Sequence, residues 1–167
     1  MRLKDKVAII TGGGQGIGRA IALRFAQEGA SLMLAQRTLA KVEETAKEIR
    51  DAGGKAIAIA VDVRDEEQVN KMVRRTVAEF GGIDILVNNA AFYGGHGHKP
   101  WDVWPLEQWR NSFDINVVGG WLCAKAVVPH MQKRGKGKII NISTATVHQG
   151  YHGMLPYTTT KAGICSV

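Results

Sequence analysis

Five short apolar runs, at 7–10, 31–35, 56–61, 83–87 and 138–142, alternate with longer amphipathic stretches at 17–29, 38–52, 66–80 and 106–133. No other feature constrains the fold as much. Uninterrupted apolar runs predict strands buried on both faces, the pattern of a parallel sheet. Parallel neighbours need a crossover of roughly a dozen residues or more, and the amphipathic stretches are long enough to provide it. The expectation is an α/β fold: a doubly wound parallel sheet whose right-handed crossovers put helices on both faces, in three α/β/α layers. Such sheets bind ligands at the carboxyl ends of their strands. The segment 92–105, rich in Gly, His and aromatic residues, follows the fourth strand and falls at that end.

A chain of 167 residues fits one domain, here 1–167 as a whole. Its 45% hydrophobic and 22% charged content is that of a globular protein, and no run of about 18 apolar residues offers a membrane span. The start, Met1-Arg2-Leu3-Lys4-Asp5-Lys6, lacks the long apolar region and cleavage site of a secretory leader, so a cytoplasmic location is expected. The net charge is +7. Basic and acidic residues interleave, however, as in Lys41-Val42-Glu43-Glu44, and solvated helix faces explain most of the excess without a nucleic-acid partner. The cluster Lys133-Arg134-Gly135-Lys136-Gly137-Lys138 reads as a soluble turn, or alternatively as a site attracting an anionic partner. Cys123 and Cys165 have no metal-like spacing and read as buried thiols. His96-Gly97-His98 falls short of a zinc set, since no acid or Cys accompanies the two imidazoles, and no metal is expected.

The first strand runs into Thr11-Gly12-Gly13-Gly14-Gln15-Gly16-Ile17-Gly18 and then a helix. Backbone N–H groups and a helix N-terminus directed at one point suit a pyrophosphate, and glycines permit its close approach. The spacing is T-G-x-x-x-G-x-G. With Asn88-Asn89-Ala90 and Tyr157-x-x-x-Lys161 in the same order, the chain resembles the short-chain dehydrogenase/reductase family from about residue 3 to its last residue, and that resemblance implies a Rossmann-like nucleotide fold. It also implies that Gly12, Gly16 and Gly18 line a phosphate site, with Gly14, Gln15 and Ile17 in the same loop. Asp62 with Val63 would meet the adenine, and Asn89, Ala90 and Ala91 would lie beside the cofactor. Asp62 can otherwise be read as a turn or capping acid. At the end of the second strand stand Gln36 and Arg37, where an acid would bond a ribose 2′-OH and an Arg would accept a 2′-phosphate. That pair points to NADP, with NAD possible because Gln15 takes a place where many NADP users carry a basic residue.

Tyr157 and Lys161 are four apart and share a helix face. An ordinary Tyr has a pKa near about 10, so a neighbouring ammonium is expected to lower it and ease proton exchange with a carbonyl oxygen. By the family's pattern Asn116, Thr144, Tyr157 and Lys161 form the catalytic set. Tyr157 is then the proton donor in reduction, Lys161 also bonds the nicotinamide ribose, and Asn116 anchors a relay water. Asn116 can alternatively be a helix amide bonded to backbone. Thr144 takes the place of the family's usual Ser, while Ser143 is expected to point the other way. Ala91 replaces the usual Gly. The aromatics of 92–104 and the segment 147–156 would flank the reacting carbonyl, suggesting a bulky or aromatic ketone.

These readings converge on an NADP-dependent carbonyl reductase or alcohol dehydrogenase with a small-molecule ketone or alcohol substrate. One alternative is a 3-oxoacyl-(acyl-carrier-protein) reductase, prompted by the basic cluster at 133–138. The other is a non-catalytic dinucleotide-binding module, since the chain stops at Val167 while family members continue beyond the Tyr-Lys helix. The expected consequences of that stop are a missing substrate-binding helix and a fifth strand at an exposed edge. Family relatives are mostly dimers or tetramers, so a homo-oligomer is expected.

Overall fold

Alternation within each strand decides which helices it faces. The computed structural model of the chain describes residues 1–93, 99–149 and 152–167. Its strands are β1 (Val7–Thr11), β2 (Ser31–Gln36), β3 (Lys55–Ala60), β4 (Ile85–Asn88) and β5 (Lys138–Asn141), all parallel, in the order β3-β2-β1-β4-β5. On β1, Ala8 and Ile10 pack with Leu32, Leu34, Val42, Ala46 and Ile49 under α1 (Gly16–Gln27) and α2 (Leu39–Asp51). Ile9 points the other way, to Met33, Leu86, Val69, Met72, Cys123 and Val127 under α3 (Glu66–Phe80) and α5 (Gly119–Lys133). A one-residue slip of β1 would exchange the two sets.

Local signals set the helix limits. The Asp65 carboxylate accepts from the N–H groups of Glu67 and Gln68 to open α3, and Gly81, at φ 79°, closes it in the left-handed conformation. The stretch 106–133 is helical throughout, but in three parts: α4 (Leu106–Phe113), a π-helical turn at Asp114–Val118, and α5. The π turn inserts a residue into the helical register and so re-aims the side chains of α5; Asn116 lies inside it. The Tyr-Lys helix is α6 (Leu155–Gly163), which opens with Pro156 in its first turn and packs against α4 and the π turn.

Strand β4 starts two residues later than the apolar run suggests. Asp84 instead bridges strands: its carboxylate accepts from the Val7 N–H (3.0 Å), its own N–H donates to the Val7 carbonyl (2.9 Å), and its carbonyl accepts from the Lys138 N–H (2.9 Å). Arg134 of the basic cluster approaches the buried carboxylate at 3.4 Å. Asp84→Ala would leave a buried N–H unpaired and is expected to cost about 2–3 kcal/mol, while Asp84→Asn keeps an acceptor and costs less. Thermal unfolding should report this as a loss of roughly 5–10 °C for Ala; an unshifted midpoint would show that Asp84 ties nothing.

One expectation changes here, that of a buried Cys165, while the basic cluster does form a turn between helix and strand. The basic cluster sits at the amino ends of β4 and β5, opposite the carboxyl ends where the ligand cleft lies, and Arg134 is engaged by Asp84. Cys123 is buried, with burial raising its thiol to about 12, but Cys165 is exposed, because in the last turn, Ile164–Ser166, it is Ile164 that turns inward. β5 lies at the sheet edge, with Ile140 39% exposed.

Candidate active site

A cleft of about 470 Å³ runs across the carboxyl ends of β1, β2 and β4 to α6. Its floor is the turn after β1, which one side chain shapes from below. Asn89 Nδ2 donates to the carbonyls of Thr11 (2.9 Å) and Gly12 (3.2 Å). The Thr11 hydroxyl donates to the Val87 carbonyl and accepts from the N–H groups of Asn89 and Ala90, both at 3.0 Å. With its carbonyls held down, the turn leaves its other edge to the cleft, where Gly12, Gln15, Gly16 and Ile17 form the lining. Gly12 (φ 67°) and Gly16 (φ 52°) use the left-handed conformation, and a Cβ on Gly12 would come 2.7 Å from Asn89 Nδ2. A backbone cradle that side chains would fill fits a pyrophosphate. Gly14 and Gly18 lie outside the lining: the Gly14 N–H donates to Gln36 Oε1 (3.1 Å), and Gly18 packs directly on the Gly12 carbonyl.

Val61, Asp62 and Val63 form one wall, and Asn89, Ala90 and Ala91 the floor beside it. Asp62 closes a tight turn, accepting from the backbone and guanidinium of Arg64, whose hydrogen bonds hold its carboxyl below the usual range. It is therefore both a turn acid and a wall of the cleft. At the end of β2, Gln36, Arg37, Thr38 and Lys41 line the cleft together.

The far end belongs to Tyr157 and Lys161. Lys161 is buried; its Nζ donates to the Ile142 carbonyl (2.7 Å) and lies 5.8 Å from the centre of the Tyr157 ring. The expected lowering of the phenol does not occur in this arrangement. Burial, and then Tyr93, raise the Tyr157 pKa, and burial lowers that of Lys161. The ammonium faces the ring and a carbonyl, so the phenol keeps its proton. Tyr93 meets Tyr157 edge to face at 5.1 Å between ring centres.

A glycine turn bonded to the β4 end, an acid-free β2 end and a Tyr-Lys pair across one cleft are the arrangement that the sequence motifs imply. The profile of the family described as short chain dehydrogenase matches residues 6–167. The chain belongs to the short-chain dehydrogenase family. It is 38% identical over 165 residues to an uncharacterized oxidoreductase of Thermotoga maritima and 35% identical over 162 residues to the 7alpha-hydroxysteroid dehydrogenase of Escherichia coli, covering 99% and 97% of this chain. Among solved structures it resembles a 7alpha-hydroxysteroid dehydrogenase complexed with NADH and 7-oxo glycochenodeoxycholic acid (TM-score 0.91, 34% identity) and an NAD+-bound xylitol dehydrogenase (TM-score 0.94, 32% identity). Both matches cover 99% of this chain, which spans about 63% of the length of each of those structures and 62–63% of the two sequence relatives.

Within this short-chain dehydrogenase frame two expected residues sit beside the cleft. Asn116 is buried with its amide engaged: Oδ1 accepts from the Phe92 N–H (2.6 Å), and Nδ2 donates to the Phe92 carbonyl (3.1 Å) and Thr160 Oγ1 (2.9 Å). It ties the loop after β4 to α6 and so holds the Tyr-Lys helix in place. Thr144 opens the short helical turn Ala145–His148; its hydroxyl accepts from the N–H (3.4 Å) and Oγ1 (3.2 Å) of Thr146, which also meets Thr158 Oγ1 at 3.4 Å. The cleft is lined instead by Ser143, whose hydroxyl donates to the Lys161 carbonyl (2.8 Å).

Thr11 and Lys41 carry parts of the site that motif reading did not assign. The hydroxyl of a T-G pair at a strand end is a signal that could have found the first; the second needs the fold. Gly94 to His98, Gly150 and Tyr151, and with them the His96-Gly97-His98 pair, lie outside the described residues. Among the described residues no group of three His, Cys, Asp or Glu could hold a metal, and no helix is long and apolar enough to cross a membrane.

Proposed function

We propose that the protein is an NADP(H)-dependent oxidoreductase that interconverts a ketone and a secondary alcohol, acting as a carbonyl reductase or alcohol dehydrogenase according to direction. The observation that carries this reading is one continuous cleft joining the glycine turn, Arg37 and the Tyr157–Lys161 pair. A bound nicotinamide supplies two-electron hydride chemistry. The glycine turn, with Gln15, Gly16 and Ile17, holds the pyrophosphate; Asp62 and Val63 flank the adenine; Asn89, Ala90 and Ala91 support the nicotinamide half. Tyr157, whose pKa burial raises further above neutrality, donates a proton to the developing alkoxide in reduction and takes it back in oxidation. Lys161 orients the phenol and the ribose, Thr144 reaches the substrate from its hydroxyl cluster beside the cleft, where Ser143 forms the lining, and Asn116 positions α6. Tyr93 beside Tyr157 favours a bulky or aromatic substrate. The carrier-protein alternative loses its main support, because the basic cluster sits at the opposite end of the strands.

Arg37 at the end of β2 favours NADP; Asp62 across the cleft is held chiefly by Arg64, with Arg37 its weakest charge partner. The competing NAD reading has its own support: two relatives were solved with NADH and NAD+. A fluorescence titration of the chain with NADPH and NADH decides between them. NADPH should bind about 10–100 times more tightly, the size of one or two charge-assisted contacts, and Arg37→Gln should remove most of that difference. Equal or tighter NADH binding would replace NADP with NAD, and nucleotide binding without turnover of any ketone would favour the non-catalytic module. We place the protein in the cytoplasm, as one domain that assembles into a dimer or tetramer. Exposed Phe113, Val118 and Trp121, at the end of α4, in the π turn and in α5, suit such an assembly.

A further inference from the structure

Gln15 occupies a place in the glycine turn where a basic side chain would help hold an extra phosphate, yet it does not leave that place without charge. Its Oε1 accepts a hydrogen bond from Lys41 Nζ at 2.8 Å. Lys41 comes from the first turn of α2, four residues beyond Arg37, and both cations line the cleft with Gln15 and Thr38. We propose that Lys41, tethered over the glycine turn by Gln15, is the second cation of a 2′-phosphate subsite and so a determinant of cofactor specificity. This rests on the NADP reading above.

The charges around the cleft support it. Asp62, the carboxylate in the described lining, is engaged bidentately by Arg64. The Gln36 side-chain oxygen Oε1 accepts from the Gly14 N–H. Gln36 puts an amide where an acid would take a ribose 2′-OH, and Asp62 is bonded to Arg64 and acts on Arg37 only as a weaker, longer-range charge. The bond to Gln15 uses one of the three ammonium protons of Lys41, leaving two donors for an anion. Because the tether fixes a long, exposed side chain beforehand, ligand binding loses less rotamer freedom. Gln15 thus acts through Lys41 as a positioning residue, giving the turn by hydrogen bonding the charge it lacks by sequence.

The test is the affinity of the chain and its variants for NADPH, NADH, adenosine 2′,5′-bisphosphate and 5′-AMP, which needs no substrate. Lys41→Gln is expected to weaken NADPH and the bisphosphate by about tenfold, on the scale of one lost charge-assisted contact, and to leave NADH and 5′-AMP within about twofold. Lys41→Arg should restore most of the loss, and Gln15→Ala should weaken the phosphorylated pair by a smaller factor, roughly threefold. If Arg37→Gln abolishes the NADPH preference while Lys41→Gln changes nothing, the inference fails and the NADP reading stands. Equal weakening of all four ligands would make Lys41 a support of the turn, and the inference again fails. A wild-type chain that does not prefer NADPH overturns both.

Discussion

Tyr157→Phe is expected to lower turnover by about 10³-fold in either direction, while NADPH binding stays within about twofold. The substitution removes one oxygen from a ring that stays packed edge to face on Tyr93 and under Lys161, so the wall of the cleft keeps its shape. What disappears is the only change of proton ownership assigned to the chain, and positioned acids and bases typically contribute about 10²–10⁴-fold. The pH dependence carries the same assignment. Burial holds the phenol above its ordinary range, so the neutral, donating form persists at neutral pH and favours reduction. Oxidation requires the phenolate, and its rate should climb as pH rises toward the phenol's pKa, while reduction falls. Steady-state rates across pH with a secondary alcohol and its ketone check this. A Phe variant that retains turnover and the same pH profile would remove Tyr157 from the chemistry.

The pH profile also separates two accounts of Lys161. Sequence reasoning expects the ammonium to lower the phenol, because four-residue spacing puts both on one helix face. Shared face does not fix the direction of each tip. Lys161 points to the Ile142 carbonyl and over the ring, and burial lowers its own pKa. A three-dimensional contact, invisible in the spacing, decides the electrostatics.

The same distinction runs through the molecule. The strands are legible because burial under helices on both faces leaves every residue of a run apolar, as in Val7-Ala8-Ile9-Ile10, while which of Ala8, Ile9 and Ile10 faces which layer is set by the fold. The caps of α3 are legible because Asp65 and Gly81 are local solutions to local problems. The π turn at Asp114–Val118 is not, because no residue type specifies it; it exists where Asn116 is held between Phe92 and Thr160. Lys41 escapes notice for a related reason: in sequence it is one more surface lysine, and only the turn of α2 over the glycine loop brings it to Gln15. Ser143 and Thr144 differ by one position, and the extended backbone between them assigns one to the cleft and the other to a hydroxyl cluster with Thr146 and Thr158.

Gly18→Ala should weaken NADPH binding by at least about 100-fold and lower the unfolding midpoint by roughly 5–10 °C. Gly18 does not line the cleft, so the effect is indirect. A Cβ there would fall on the Gly12 carbonyl oxygen and 2.5 Å from Asn89 Nδ2. The first obstacle is backbone, which cannot rotate aside, and the second is the amide that holds the glycine turn down. Relief requires α1 to move away from the turn or Asn89 to release it, and either path spoils the cradle for the pyrophosphate. Overpacking of this kind costs about 1–3 kcal/mol, each kcal/mol being worth about 2–4 °C in a chain of this size. Gly53→Ala supplies the contrast. Gly53 has φ 83° with nothing within 4 Å of the added Cβ, and it lies in the turn after α2, outside the cleft lining. It should lose a few degrees from backbone strain alone, about 1–2 kcal/mol, with NADPH affinity unchanged. Calorimetry and nucleotide titration of the two variants therefore separate strain from collision. If Gly18→Ala binds NADPH as the wild type does, the close packing of α1 on the glycine turn is not what shapes the phosphate site.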